Sequence, residues 1–497
     1  MLDLNTPDGI ASICKKLNEV FDDFYLDPGN RPSGPLVDKP RVVQEFSDPE
    51  PPEKGEGFEA TLAYFEEQIL PQTVKTWHPL FLNQMTAGAS IPAILGETFS
   101  SMINSTMATF EMTPAATVIE RNVSMWMAQM LGMPEGSSGI FLPGGSLSNL
   151  LALAVARHQR MGTELSQKGL KSIPNQGVIL CSDGGHYSVA NAASLLGFGT
   201  ENVVKIASNH RNEILPEAFE KAVFQAKEEG KQPFAAVATM GLTVTGGFDP
   251  LEEMAEICRD HDIHLHVDAA FGGGIALTQV GEQLFRGIEH ADTVIWDAHK
   301  WFHVPLTCTV LLAPDARIFK HVFNTNADYL FHPQDEDIDM ADDLGKYTIL
   351  CGKRLDALPI WLLLKSYGVD YFRQLAESRL KLSHEVYDML CEDRDLVPSY
   401  QPVSPILCFR FLPPGSEEWS PTYTDRLQRW VRETAKKRQV AMFNVAKLKG
   451  RDHFRMILIN PLTTRAHIIQ LLADIRALAQ EFMVTHPPVY ESSTVQA

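Results

Sequence analysis

HLHVDAAFGGG at residues 264–274 and DTVIWDAHKWF at residues 292–302 decide how this chain is read. Each opens on a strand-length apolar run, and each run ends on polar side chains where strand gives way to loop: Asp268 in the first, Asp297 and then Lys300 in the second. Working outward, GVILCSD, NVVKIAS, FAAVATM and CTVLLA repeat the pattern between about residues 139 and 314. Segments of helical periodicity, such as 215–229 and 250–260, separate them. Short apolar strands alternating with helices predict an α/β layer with a mostly parallel central sheet. Open sheets of this kind gather ligand groups at the carboxyl ends of their strands, which is where Asp268 and Lys300 fall.

A carboxylate and a lysine at the ends of two strands of one sheet suit pyridoxal 5'-phosphate. The lysine amine holds the aldehyde as a Schiff base, and the carboxylate keeps the pyridine nitrogen protonated so that the ring draws electrons. Taken singly, a strand-end Asp is usually a turn cap and a Lys is usually solvated. GIFLPGGSLSNLLALAVARH (139–158) puts Gly144, Gly145, Ser146 and Ser148 at the mouth of a helix. Bare N–H groups, two hydroxyls and the helix dipole make a site there for a phosphate ester, although a plain helix cap has the same look. His186, in SDGGHYSVANAA, follows another strand run, and its flat ring either lies on the cofactor or is a satisfied loop histidine. Thr243, in ATMGLTVTGGFDP, either donates a hydrogen bond to the site or belongs to the turn.

Together and in order, GGS-x-SN, GHYS, TxGxTVTGGFDP, HVDAAFGGG and HK resemble the group II pyridoxal phosphate-dependent amino-acid decarboxylases, over roughly residues 75 to 485. The resemblance implies the type I fold of pyridoxal phosphate enzymes and a homodimer with sites at the subunit interface. It implies Lys300 as the Schiff-base lysine, Asp268 as the pyridinium partner, His186 as the ring-stacking residue that aids protonation, and Ala270 as the small residue beneath the ring. Gly145, Ser146, Asp297 and His299 would surround the phosphate, with Thr243 nearby. HPLFLNQMTAG (78–88) and HFRMILINP (453–461) resemble the glutamate and cysteine sulfinate branch. On that likeness Asn83 and Gln84 line the substrate pocket, Phe81 is an apolar wall and Arg455 clamps a carboxylate. The alternatives are that the Asn-Gln pair caps backbone groups and that strand alternation turns Arg455 to solvent.

Three positions depart from the family's pattern. Asp297 stands where Asn is frequent, which adds a negative charge near the expected phosphate, and Leu242 stands where many relatives have Thr. In LFHPQDEDIDMADDLGKYTILCGKR (330–354) Asp337 or Ile338 falls where group II enzymes commonly carry a tyrosine that reprotonates the carbanion. Loss of that tyrosine in relatives is linked to oxidative deamination. Tyr347 lies further along, and the acidic stretch 334–343 reads as a mobile lid or as an acidic surface loop.

The resulting expectation is α-decarboxylation of a small, acidic amino acid: glutamate, aspartate or cysteine sulfinate. KRLDALPIW (353–361) and NPLTT (460–464) also resemble 2,4-diaminobutyrate decarboxylases. Oxygen-dependent deamination and a non-catalytic pyridoxal phosphate-binding protein are the remaining alternatives. With 62 acidic against 43 basic side chains and a net charge of -19, the 497-residue chain is no general nucleic-acid binder. No apolar stretch approaches the roughly 20 residues of a membrane span, and the start lacks a secretory pattern, so a cytoplasmic protein is expected. Seven cysteines without a CxxC pair argue against zinc. The expected organisation is an N-terminal arm with helices (1–80), a large cofactor-binding domain (81–375) and a small C-terminal α+β domain (376–497). The Pro/Gly-rich stretch 27–57 is expected to be extended and exposed.

Overall fold

The computed structural model describes residues 7–25, 33–35, 38–172, 175–323, 327, 330–331 and 343–490. The chain forms two units, one of Ala89–Tyr387 with Tyr400–Leu407 and one of Met1–Gly88 with Asp388–Ser399 and Cys408–Ala497.

The larger unit is built on seven strands: β1 (Ser138–Leu142), β2 (Gly177–Ser182), β3 (Val203–Ile206), β4 (Gln232–Thr239), β5 (His264–Asp268), β6 (Thr293–Asp297) and β7 (Thr309–Ala313). Their order is β1-β7-β6-β5-β4-β2-β3, and only β7 runs against the others, pairing antiparallel with both β6 and β1. The six apolar runs picked out by pattern are β2 to β7. The seventh strand, GIFL, was not anticipated, because its partner is not the preceding strand but β7, far along the chain, whose reversed direction offers it an edge. Gly139 permits that pairing, since a Cβ there would lie 1.9 Å from the Leu311 carbonyl oxygen. Helix Gly145–Met161 lays Leu151, Ala152 and Val155 on Ile140, Leu142, Ile295 and Leu311. Helix Ser188–Leu195 lays Val189, Ala192 and Ala193 on Ile179, Cys181, Phe234 and Val237. Strands buried on both faces read as continuous apolar runs, which is why their pattern was visible.

His303 follows the second site strand and is 5 % exposed, with φ 50°. Burial, reinforced by Arg379, pushes its pKa down to about 4. The unfolded chain binds this proton below about pH 6.5 while the folded chain refuses it, so the stability held above that pH is lost as pH falls toward 4. His303→Asn, which tolerates a left-handed backbone, is expected to remove that loss. Urea unfolding of the two proteins from pH 7 to pH 4 should show wild type losing about 3 kcal/mol more than the variant. Parallel curves would contradict it.

The smaller unit carries a sheet of β8 (Leu396–Pro398), β9 (Ile406–Phe411), β10 (Asn444–Leu448) and β11 (Arg451–Ile457), in the order β10-β11-β9-β8. Helices Pro421–Lys437 and Arg465–Thr485 fall where periodicity placed them. Only the second half of QVAMFNVAKL joins β10. Met442 instead pairs with residues 80–82: Leu82 N–H donates to its carbonyl (2.7 Å) and its own N–H donates to Leu80 (2.9 Å). The stretch expected to be extended contains a helix, Lys39–Phe46. Asp38 caps it by accepting from Arg41 N–H at 3.3 Å, and Pro40 sits in its first turn. No residue of that helix is buried, but Ser33, earlier in the same stretch, is 1 % exposed, so the expected exposure holds for the helix and not at Ser33. Among the described residues no helix is long and apolar enough to cross a membrane, and no cluster of metal-ligating side chains occurs.

Candidate active site

Because β1, β2, β4, β5 and β6 run the same way, their carboxyl ends share one edge of the sheet. β5 ends on Asp268, registered against Thr239 of β4 and Ile295 of β6. The Asp268 side chain is 5 % exposed; Oδ1 accepts from Ala270 N–H (3.2 Å) and Oδ2 from Asn149 Nδ2 (3.0 Å). It makes no ion pair among the described residues. Ala270 ties the two strand ends together, its carbonyl accepting from Asp297 N–H at 3.2 Å.

β6 runs into the short helix Ala298–Trp301, which turns Lys300 back over Asp297. Lys300 Nζ lies 3.0 Å from Asp297 Oδ2, and Thr309 Oγ1 donates to Oδ1 at 2.5 Å. Burial by itself raises the Asp297 carboxyl, but the charges of Lys300 and His299 with the bonds from Thr309 and Lys300 outweigh it and hold the group below its ordinary value. His299 is 7 % exposed, with Nε2 3.5 Å from Asp297 Oδ2 and Nδ1 against the Cys308 backbone. Gly145 packs on this carboxylate, since a Cβ there would come within 3.1 Å of Oδ1. Asp297 therefore stands between the lysine and the mouth of helix Gly145–Met161.

That helix begins after Gly144, whose φ of 103° suits glycine and which offers the first N–H groups no side-chain cap. Ser146 is exposed, whereas Ser148 is buried and donates its hydroxyl back to Gly144 O at 3.1 Å. One of the two hydroxyls expected at the mouth is thus spent inside the helix. His186 is half-buried, with Nδ1 2.8 Å from Ser188 Oγ. Burial holds its imidazole below the ordinary value; the Asp268 and Asp297 carboxylates pull the other way and Lys300 adds to the lowering, so all three charges reach His186. Thr243 is half-exposed in the loop after β4, while Leu242 is fully buried core.

Uncapped N–H groups at a helix start, a lysine, and a buried carboxylate whose cation partner is not found among the described side chains fit pyridoxal phosphate. The carboxylate would hold the pyridinium, the amine would carry the aldehyde and the helix mouth would receive the phosphate.

Phe81, Asn83 and Arg455 come together in the smaller unit. Phe81 bridges Met442, Asn444 Nδ2 donates to Asn83 O at 2.7 Å, and Asn444 is registered opposite Arg455. Arg455 is 6 % exposed, so alternation does not turn it to solvent, and Asn83 Oδ1 is buried with no hydrogen-bond partner among the described residues. Gln84 is exposed. Asp337 and Ile338, with most of the expected lid, lie outside the described residues. Tyr347 is core: it is 2 % exposed, with the Arg121 guanidinium 4.3 Å over its ring.

The reading from sequence missed Asn149, which donates to Asp268, and Ser188, His266, Thr293 and His264, which are hydrogen-bonded to Asn149 directly or in series. One signal was available. His264, His266 and Asp268 stand at i, i+2 and i+4 of a strand and so share a face.

Comparison with known proteins places the chain in a family. Residues 40–412 match the family described as the pyridoxal-dependent decarboxylase conserved domain. The chain is 32% identical to cysteine sulfinic acid decarboxylase of Mus musculus over 451 residues, covering 89% of this chain and 90% of that one. It is 32% identical to the acidic amino acid decarboxylase GADL1 of Mus musculus over 449 residues, covering 89% and 81%. The crystal structure of mouse cysteine sulfinic acid decarboxylase superposes with a TM-score of 0.89 at 28% identity, covering 96% of this chain and 99% of that one. The crystal structure of Oryza sativa TDC with pyridoxal phosphate and tryptamine shares the fold, with a TM-score of 0.89 at 23% identity, covering 97% of this chain and 100% of that one. With a lysine, a buried carboxylate and an open helix mouth at one sheet edge, this chain belongs to the pyridoxal-dependent decarboxylase family and is a pyridoxal phosphate-dependent amino-acid decarboxylase.

Proposed function

We propose that the chain removes the α-carboxylate of a small acidic amino acid, with cysteine sulfinate, glutamate and aspartate as the candidates. The observation that supports this reading is the meeting of Phe81, Asn83 and the buried Arg455 in one unit, in a chain whose curated relatives are named for acidic substrates. Bound pyridoxal phosphate supplies an electron sink for the pair left when carbon dioxide departs. In our reading Lys300 carries the cofactor, Asp268 holds its ring nitrogen protonated, and the N–H groups at Gly145 and Ser146 face its phosphate. His186 would lie against the ring and could deliver a proton to the new carbon, and Ala270 would be the small residue beneath the ring. Arg455 binds a substrate carboxylate through its planar fork, and Asn83 Oδ1 accepts from a substrate or solvent donor.

The test is a panel of glutamate, aspartate, cysteine sulfinate, 2,4-diaminobutyrate and aromatic amino acids, following carbon dioxide, amine, ammonia and oxygen. An acidic substrate should lead, and Arg455→Lys should lower its kcat/KM by roughly a hundredfold, the effect of breaking a bidentate charged pair. A lead by 2,4-diaminobutyrate, or indifference to the substitution, would overturn the acidic reading. Ammonia release with oxygen uptake would favour oxidative deamination, which stays in view because the described tyrosine of the 330–354 stretch, Tyr347, is core.

We also read the protein as a cytoplasmic homodimer. Ile91, Leu95, Phe99, Met102 and Ile103 stripe one helix, Ile91–Ile103, and are 45–73% exposed. An apolar stripe of that kind suits a second copy of the chain. Seven free cysteines fit a reducing compartment.

A further inference from the structure

Behind Asp268 runs a chain of hydrogen bonds buried along its whole length except at the far end. Asn149 Nδ2 donates to Asp268 Oδ2 (3.0 Å) and to Ser188 Oγ (2.8 Å). Asn149 Oδ1 is 2.7 Å from His266 Nε2, and His266 Nδ1 is 2.9 Å from Thr293 Oγ1. Thr293 Oγ1 is also 2.9 Å from His264 Nε2, and His264 Nδ1 is 2.8 Å from Gln159 Oε1. Asn149, Ser188, His264, His266 and Thr293 are each no more than 1 % exposed, whereas Gln159 is exposed.

We propose that Asn149, locked by the His266–Thr293–His264 chain, is a positioning residue that sets two protonation states at once: Asp268 as an acceptor-only carboxylate, and His186 with its proton on Nε2. The proposal rests on the reading of Asp268 and His186 as cofactor residues. Hydrogen counting carries it. With its two N–H groups aimed at Asp268 and Ser188, Asn149 shows His266 only its carbonyl, so His266 Nε2 carries a proton. Neutral His266 then has a bare Nδ1, which takes the single hydroxyl hydrogen of Thr293. Thr293 has none left for His264, so His264 Nε2 donates to it. Every hydrogen in the chain points toward Asp268.

At the other end Ser188 Oγ accepts from Asn149, so its own hydrogen goes to His186 Nδ1, which also receives Ser188 N–H at 3.3 Å. His186 is thereby held with Nε2–H.

The reverse polarity turns the Asn149 carbonyl onto Asp268 and forces that carboxyl to be protonated, which would remove the charge a pyridinium needs. As placed, the Gln159 oxygen favours the reverse polarity. Keeping both ends as they stand would either set a bare histidine nitrogen against the Thr293 oxygen with no hydrogen between them, or charge a buried histidine against the burial that pushes the pKa of His266 down to about 4. The exposed amide of Gln159 is the one free to rotate and is therefore the end that yields.

The experiment is histidine 15N NMR on the holoenzyme, with His186→Gln and His266→Gln for assignment. Wild type is expected to show neutral Nε2–H tautomers at His186, His264 and His266. A doubly protonated His266, or Nδ1–H at His266 or His186, would overturn the proposal whatever the behaviour of any variant. Thr293→Val cuts the chain while leaving Asn149 in place. It should give mixed tautomers at His266, change the visible absorption of the bound cofactor, and lower kcat roughly tenfold with little change in KM, as for loss of one bond to a charged group. A folded Thr293→Val with the tautomers, spectrum and kcat of wild type would also overturn it. A wild type that binds cofactor without involving Asp268, shown by an Asp268→Asn spectrum identical to its own, would instead remove the site reading beneath it.

Discussion

Lys300→Ala is expected to abolish carbon dioxide release while leaving the chain folded. The Lys300 side chain is 16% exposed, and its one ion pair among the described residues is to Asp297 at 3.0 Å. What is lost is the amine that carries the cofactor, together with a group able to move a proton at the reacting carbon. A positioned proton-transfer group by itself is worth about 10²–10⁴ in rate, so kcat should fall by at least about a thousandfold, beyond the lower end of that range, because the covalent hold is lost as well. Steady-state carbon dioxide release on the leading substrate, with the visible spectrum of added cofactor followed in parallel, checks it. Turnover within tenfold of wild type would remove Lys300 from the mechanism.

The second large effect concerns stability and lies away from the chemistry. Lys353 Nζ donates to Glu120 Oε2 at 2.6 Å, with the two side chains 1% and 0% exposed. Glu120 Oε1 in turn accepts from Phe141 N–H of β1 at 3.0 Å. Lys353→Met keeps most of the volume but leaves a buried carboxylate without its cation, which costs about 3–5 kcal/mol. The double variant Lys353→Met/Glu120→Gln removes the orphaned charge while keeping an acceptor for Phe141 N–H, and should recover more than half of the loss. Urea midpoints of wild type, single and double variants, taken with cofactor saturating, decide it. Equal midpoints for wild type and the single variant would mean that the pair is solvated in a way its burial does not allow.

How much of this was legible depended on whether the physics was local. The strands β2 and β4 to β7 are almost wholly buried, so each announced itself as an apolar run, and so did β3 although its Lys205 is exposed; Asp268 was visible as the polar end of one run and Lys300 as a polar residue three positions past the end of another. Strand β1 was missed because its partner, β7, lies about 170 residues away. Strand β8, three residues long, is too short to show a period. Helix Lys39–Phe46 arose against composition, since one Asp cap and one first-turn Pro outweighed a Pro/Gly-rich context.

At the site the same division holds. Residue types and their order pointed to the chemistry, because an amine, a carboxylate and bare helix-start N–H groups suit pyridoxal phosphate and their order resembles one family. What the tertiary structure decided is which side chains answer one another. Ser148 turned inward to its own helix. Tyr347 became core. Asp297 came to lie between Lys300 and Gly145. Asn149, His266, Thr293 and His264 lined up behind Asp268 from three separate segments. Hydrogen bonds between residues 27 to 119 positions apart leave no periodic trace in a sequence; they exist only once strands and helix have packed and excluded the water that would otherwise satisfy the same groups.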